Sequence, residues 1–286
     1  MSPRALAAAS LLVLALAGPT TASAAGSPNV AALQVTLRAR GLYHGAVDGI
    51  SGPATVAAVR RFQRRAHLVP DGIVGPRTRR AMGHYGRHHF GERMVSMGMR
   101  GWDVAALQFS LAKHGFPSGT FDGAFGPHTD AALRRFQRFA RLARDGVAGP
   151  ATYGALRRPP ARSPITLLRP VRAAIGDRFG PRGNRFHAGL DFTAPYGAVV
   201  RAAASGRVRR AGWDSGGYGY LVVIGHGHSV RTMYAHLSRL FVRRGRRVSV
   251  GSRIARVGAT GHAFGPHLHF EVRYRGAAVD PLPALR

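Results

Sequence analysis

The chain has 286 residues, enough for two or more compact units, and a formal net charge of +30 that is almost wholly arginine, Lys113 being the only lysine. It has no cysteine, which excludes disulfides and thiolate metal sites, so any metal must be held by His, Asp or Glu. The charge predicts attraction to a polyanion, but aromatic residues make up only 8% and no recognition helix or stacking motif stands out, which argues against a specific nucleic-acid partner.

At the N-terminus Arg4 precedes an apolar run of 13 residues, Leu6 to Gly18, followed by the small-x-small sequence Ala22-Ser23-Ala24. The run is shorter than the roughly 20 residues a membrane helix needs and has the length of a signal-peptide core. Residues 1–24 are therefore expected to be a signal peptide and the mature chain to be exported. No later stretch is apolar enough to span a membrane.

An internal repeat follows. Ala32-Leu33-Gln34 recurs as Ala106-Leu107-Gln108, an offset of 74 residues, and the same offset holds without a gap through Gly41, Asp48-Gly49, Gly52-Pro53, Phe62-Gln63, Asp71-Gly72, Gly75-Pro76 and Thr78. Each copy, at 28–84 and 97–158, reads as three short helices. Val30, Leu33 and Leu37 recur at helical spacing, as do Val104, Leu107 and Leu111. Gly41 and Gly115 end the first helix, Asp-Gly pairs form tight turns, and Pro53, Pro76, Pro127 and Pro150 open helices. The pattern resembles the three-helix peptidoglycan-binding module of wall hydrolases over about 55 residues per copy. The resemblance implies peptidoglycan as a partner and two tethering sites on one chain. The charge adds anionic wall polymers as possible partners.

Two connectors divide the chain. Gly83 to Arg93, rich in Gly, His and Arg, reads as a solvated linker despite His84, His88 and His89. Arg157 to Pro164 is too proline-rich for helix or central strand. From 164 to 286 short β-branched runs between glycines predict an antiparallel all-β domain: Val199-Val200, Arg207 to Arg209, Tyr220 to Ile224, Val230 to Tyr234, Val248 to Val250, Ile254 to Val257 and Leu268 to Val272.

Within Gly265-Pro266-His267-Leu268-His269-Phe270-Glu271, strand alternation puts His267, His269 and Glu271 on one face and Leu268 and Phe270 on the other. His187 and Asp191, four apart, also share a face if that segment is extended. Only five acids follow Ile165 (Asp177, Asp191, Asp214, Glu271 and Asp280), so one at fixed spacing from a His is informative. Three such donors with an open fourth position suit a catalytic metal. His226-x-His228, flanked by glycines, reads as a hairpin turn, and His262 lies in a Gly-bounded loop beside the motif.

His187-x-x-x-Asp191, Tyr234-Ala235-His236-Leu237 and Gly265 to Glu271 resemble the lysostaphin-like zinc metalloendopeptidases, with matching flanks at Phe179-Gly180, Ala194-Pro195, Gly217-Tyr218-Gly219 and Val279-Asp280-Pro281. The resemblance implies one Zn²⁺ held by His187, Asp191 and His269, catalytic roles for His236 and His267, and hydrolysis of peptide bonds in bacterial peptidoglycan by a secreted, extracellular or wall-associated enzyme. Glu271 is placed beside a ligating imidazole or against a strand neighbour. The alternative is a non-catalytic wall-binding regulator, but relatives of that kind lose ligands and all five positions are intact here. Tyr220 stands where the family often has Asn, and Gly180 to Phe186 lacks a tyrosine found in glycyl-glycine cutters, so the cleaved bond is not assigned.

Overall fold

The computed structural model describes residues 26–286; the signal peptide expected at 1–24 lies outside the described residues. The first copy folds as α1 (Pro28–Arg38), α2 (Pro53–Arg65) and α3 (Pro76–Ala81), the second as α4 (Trp102–Lys113), α5 (Pro127–Ala140) and α6 (Pro150–Leu156). Proline occupies the first turn of α2, α3, α5 and α6, as expected, where its missing N–H has no helical partner anyway. Gly41 and Gly115 take the left-handed conformation just beyond α1 and α4, at φ of 67° and 86°.

Buried glutamines account for the repeated Asp-Gly turns. Gln34 Nε2 donates to Asp48 Oδ1 (2.7 Å) and Thr55 Oγ1 (3.2 Å), while its Oε1 accepts from Gly49 N (2.8 Å). Gln108 repeats this with Asp122 (2.8 Å), Thr129 (3.2 Å) and Gly123 N (2.9 Å). Gln63 and Gln137 do the same for Asp71-Gly72 and Asp145-Gly146. The Asp carboxylates are thus spent on their own turns, as the structural reading of these pairs requires.

The two modules are not beads on a solvated linker. Ala31 to Leu37 of α1 and Trp102 to Ala112 of α4 are buried without a break, because the two helices pack on each other. One apolar cluster contains Leu33, Leu37 and Phe62 of the first module together with Trp102, Phe109 and Phe121 of the second. Trp102 Nε1 donates to the carbonyl of Asn29 (3.0 Å). The connector corrects the linker reading as well: Phe90 packs against the cores of both modules, and Glu92, within the run, stands 3.9–4.0 Å from His88 and His89.

The β domain forms an antiparallel sheet from β1 (Ala174–Ile175), β4 (Leu190–Thr193), β5 (Val199–Arg201), β6 (Gly206–Asp214), β7 (Gly219–Gly225), β8 (Val230–Leu240), β9 (Arg247–Val248), β10 (Arg253–Val257), β11 (Leu268–Tyr274) and β12 (Ala277–Val279). Its main order is β1-β4-β11-β8-β7-β6-β9. A separate hairpin pairs β2 (Gly180–Arg182) with β3 (Arg185–His187). Leu190, Phe192, Val222, Ile224, Tyr234, Leu268 and Phe270 fill a core made of this domain's own side chains. His226 and His228 belong to the β7–β8 hairpin, as read: His228 and Ser229 both have positive φ (56° and 58°), the geometry of a two-residue type I′ turn. His226 is spent on Ser205 O and Thr232 Oγ1, each at 2.8 Å.

Candidate metal centre

Register builds the site. On β4 and β11, His269 lies directly opposite Asp191, while their neighbours pair as Leu268 with Phe192 and Phe270 with Leu190 in the core. Alternation therefore turns His269 and Asp191 to the cleft side by the same rule that buries the apolar residues. His187 arrives differently from the expected shared strand face. It ends β3, the strand stops at Ala188-Gly189, and Asp191 belongs to β4, so the two converge through a turn. Gly189 permits the approach: a Cβ there would stand 3.0 Å from both His269 Cε1 and Glu271 Cγ.

The three donor atoms meet. His187 Nε2 is 3.1 Å from Asp191 Oδ1 and 3.0 Å from His269 Nδ1, and His269 Nδ1 is 2.7 Å from Asp191 Oδ1. Among the described residues this is the one His/Asp/Glu group able to hold a metal ion. Tetrahedral donors roughly 2.0–2.1 Å from an ion stand about 3.3 Å apart, so this triangle fits one with little adjustment. The outer nitrogens fix the tautomers. His187 Nδ1 donates to Arg178 O (2.9 Å), leaving Nε2 free to ligate; His269 Nε2 donates to Glu271 Oε1 (3.0 Å), leaving Nδ1.

Electrostatics follow from this packing. With no metal bound, burial alone would raise the Asp191 carboxyl, but the facing His187 and His269 rings hold it far below the usual carboxylate range. Burial would lower His269, yet Asp191 and Glu271 on its two sides raise it to about 9. Burial likewise works against the Glu271 charge, but Arg273 and His269 bring it down to about 2. Glu271 is almost fully buried and accepts from Tyr218 OH (2.8 Å) and Arg273 Nε (2.6 Å) besides His269. Tyr218 and Arg273 were not singled out as functional by sequence reasoning. Arg273 lies two residues beyond Glu271 on the same strand, so period-2 spacing was the available signal.

His236 and His267 complete the cluster, their rings 4.7 Å apart between centroids. His267 Nδ1 donates to Gly265 O (2.9 Å), and its Nε2 lies 3.9 Å from Asp191 Oδ1. His236 Nδ1 donates to Thr260 O (2.8 Å). Simple alternation on β8 would send His236 to the core with Tyr234. Instead the β7–β8 register shifts between Tyr220 and Val222, and His236 adopts a left-handed φ of 59°. This bulge lets Tyr234 and Leu237 both reach the core and re-aims His236 into the cleft. Burial, aided by His267 and His269, pushes the His236 imidazole down to about 4.

The cleft is about 750 Å³ and takes in His187, Asp191, His236, His267, His269 and Glu271. His262, read from the sequence only as a residue of a Gly-bounded loop, lines it as well, and so does the fully exposed Phe264. An antiparallel β domain that opens a His–Asp–His donor set and two further imidazoles onto one cleft has the design of a metal-dependent hydrolase.

Comparison with known proteins narrows the class. Residues 185–281 match peptidase family M23, and residues 26–82 and 100–156 each match a putative peptidoglycan binding domain. The chain thus carries a family M23 peptidase domain behind two putative peptidoglycan binding domains. It is 46% identical over 98 residues to the DD-carboxypeptidase/endopeptidase Mpg of Neisseria meningitidis serogroup B, covering 34% of this chain and 22% of that protein. It is 37% identical over 123 residues to the murein hydrolase activator NlpD of Escherichia coli, covering 42% of this chain and 31% of that protein. The chain therefore spans a third or less of either relative. The solved catalytic domain of lysostaphin from Staphylococcus simulans is 32% identical, with 39% of this chain and 90% of that one covered and a TM-score of 0.38.

Proposed function

We propose that this protein is a secreted or wall-associated zinc endopeptidase that hydrolyses stem or cross-link peptides of bacterial peptidoglycan. The observation that carries the reading is the convergence of His187 Nε2, Asp191 Oδ1 and His269 Nδ1 in a cleft that also receives His236 and His267. Two nitrogens and one carboxylate oxygen suit zinc and leave a position open. A zinc ion held there supplies Lewis acidity and the means to activate water near neutral pH.

The chain's own residues do the rest. His236 and His267 each spend Nδ1–H on a backbone carbonyl, so each presents Nε2 to the cleft as a proton acceptor. Burial keeps His236 neutral, ready to take a proton from the attacking water and pass it to the leaving amine. His267, its ring centroid 4.7 Å from that of His236, presents a second acceptor nitrogen beside it. Glu271, fixed by Tyr218 and Arg273, holds the His269 ring in its ligating tautomer.

Peptidoglycan as substrate is supported by the two matched binding domains. No described helix is long and apolar enough to cross a membrane. The test is elemental analysis of the purified chain together with mass spectrometry of fragments released from peptidoglycans of different cross-link chemistry. About one zinc per chain and new amino termini in the released peptides are expected. Zinc-free protein that releases nothing would leave a non-catalytic wall-binding regulator, a reading kept in view by the relative named as an activator.

A further inference from the structure

The hairpin that presents His187 joins no other strand of its domain. β2 and β3 are three residues each and pair only with each other, outside the ten-stranded sheet. An isolated two-stranded hairpin is marginal at best in water. Its own domain holds it by side chains, Arg182 on Asp177 (2.9 Å) and Phe186 edge-on to Phe179, while the backbone of its tip is held by the modules. The carbonyl of Gly183 accepts the N–H of Val47 (2.8 Å), and the carbonyl of Asn184 accepts the N–H of Phe121 (2.8 Å). Val47 and Phe121 are separated by the repeat offset of 74, so the same backbone donor of each copy grips one of two adjacent residues at the hairpin tip. Phe186, one residue before His187, packs on the apolar cluster that the two modules share.

A second contact locks the same docking. Ala278 N on β12 donates to Gly115 O (3.0 Å), and Ala277 is buried in the second module's core. Pro117 and Gly119, from the loop after Gly115, line the cleft together with the donor set.

We propose that the paired modules are a positioning element of the metal centre: they clamp the His187 hairpin through Val47 and Phe121 and complete the cleft with Pro117 and Gly119. The inference rests on the metal-dependent reading above. Its physical content is that a ligand on a marginal hairpin keeps its place only while something outside the hairpin holds the tip. A module pair acting only as a wall tether has no such effect.

The duplication provides a matched pair of variants. A Cβ at Gly115 would stand 2.5 Å from Ala278 N and 2.9 Å from Ala278 C, whereas one at Gly41, the equivalent residue, meets nothing within 4 Å. Both glycines have positive φ, and Asn tolerates that conformation. Gly115→Asn in the full chain is therefore expected to lift the modules off β12. Amide exchange across residues 180–187 of the metal-free protein should then quicken, and zinc affinity, read by chelator competition, should fall about tenfold. Turnover of a soluble peptide without glycan, which a tether does not influence, should fall as well. Gly41→Asn should match the parent in all three. Parent-like exchange, affinity and turnover in Gly115→Asn would overturn the proposal. Should that variant not fold, the parent alone decides: Val47 and Phe121 amides that exchange at the unprotected rate overturn the clamp, and protected ones support it. A parent that binds no zinc defeats the metal reading instead, while the exchange measurements still judge the clamp.

Discussion

His269 is held from two sides, by Asp191 at 2.7 Å and Glu271 at 3.0 Å, and only the first of these contacts belongs to the donor triangle. Glu271→Gln removes the charge that orients the ring and leaves Arg273 without its carboxylate partner. Zinc affinity should drop about 10- to 100-fold, measured by competition with a chromogenic chelator. His236→Ala is expected to behave oppositely: zinc content unchanged, with kcat lower by about 10²–10⁴, since in the proposed mechanism the ring moves a proton and does not ligate. Loss of zinc from His236→Ala would show that the ring holds the metal. His269 and Glu271 were legible from spacing of two along a strand and Asp191 from the scarcity of acids, whereas the ligand role of His187 came only from the motif's resemblance. The aim of His236 was not legible from alternation, which sends it to the core; a bulge at left-handed φ depends on the β7 partner strand and leaves no local signature.

Among the elements, the buried glutamines and His114 make separable predictions. Gln108 satisfies the Asp122-Gly123 turn and Thr129 at once, so Gln108→Ala strands several buried polar groups. A loss of about 1–3 kcal/mol is expected by chemical denaturation. His114 is buried against Phe136, with Nε2 donating to Leu156 O at 3.0 Å, and burial lowers its pKa. The unfolded chain then binds more protons than the native one once pH falls below the ordinary histidine value of 6.5. Stability should decline from that pH downward, the loss being complete below the depressed native value. The slope of melting temperature against pH between 7.5 and 5 should be shallower in His114→Gln than in the parent. An unchanged slope would rule His114 out as its source. Helix starts, caps and turns of both modules were readable because proline, glycine and Asp-Gly act locally. That α1 and α4 bury each other was not, since Ala-rich helices look alike whether they face solvent or a partner.

At the scale of the molecule, a net charge of +30 and a built cleft should respond differently to salt. Adsorption to purified walls rich in anionic polymer should fall steeply between 50 and 200 mM salt, as screening shortens the reach of exposed arginines. Zinc affinity should hold nearly constant over that range, because its donors lie in direct contact within the cleft. Parallel decline of both would place the metal centre under the control of the surface charge.

The feature of the sequence with the longest reach was the gapless 74-residue repeat, which marked the modules, while β-branched runs between glycines marked the β domain and the His and Asp motifs supplied the expected donor set through their resemblance. All of these rest on short-range rules: helical and strand periodicity, turn chemistry and the donor atoms that residue types carry. Tertiary structure decided the turn that brings His187 to Asp191, the bulge that aims His236, the Tyr218 and Arg273 support behind His269, and the docking of two equivalent module residues onto the His187 hairpin. Each of these depends on which distant backbone lies alongside, a relation set by packing of the whole chain and carried by no single segment.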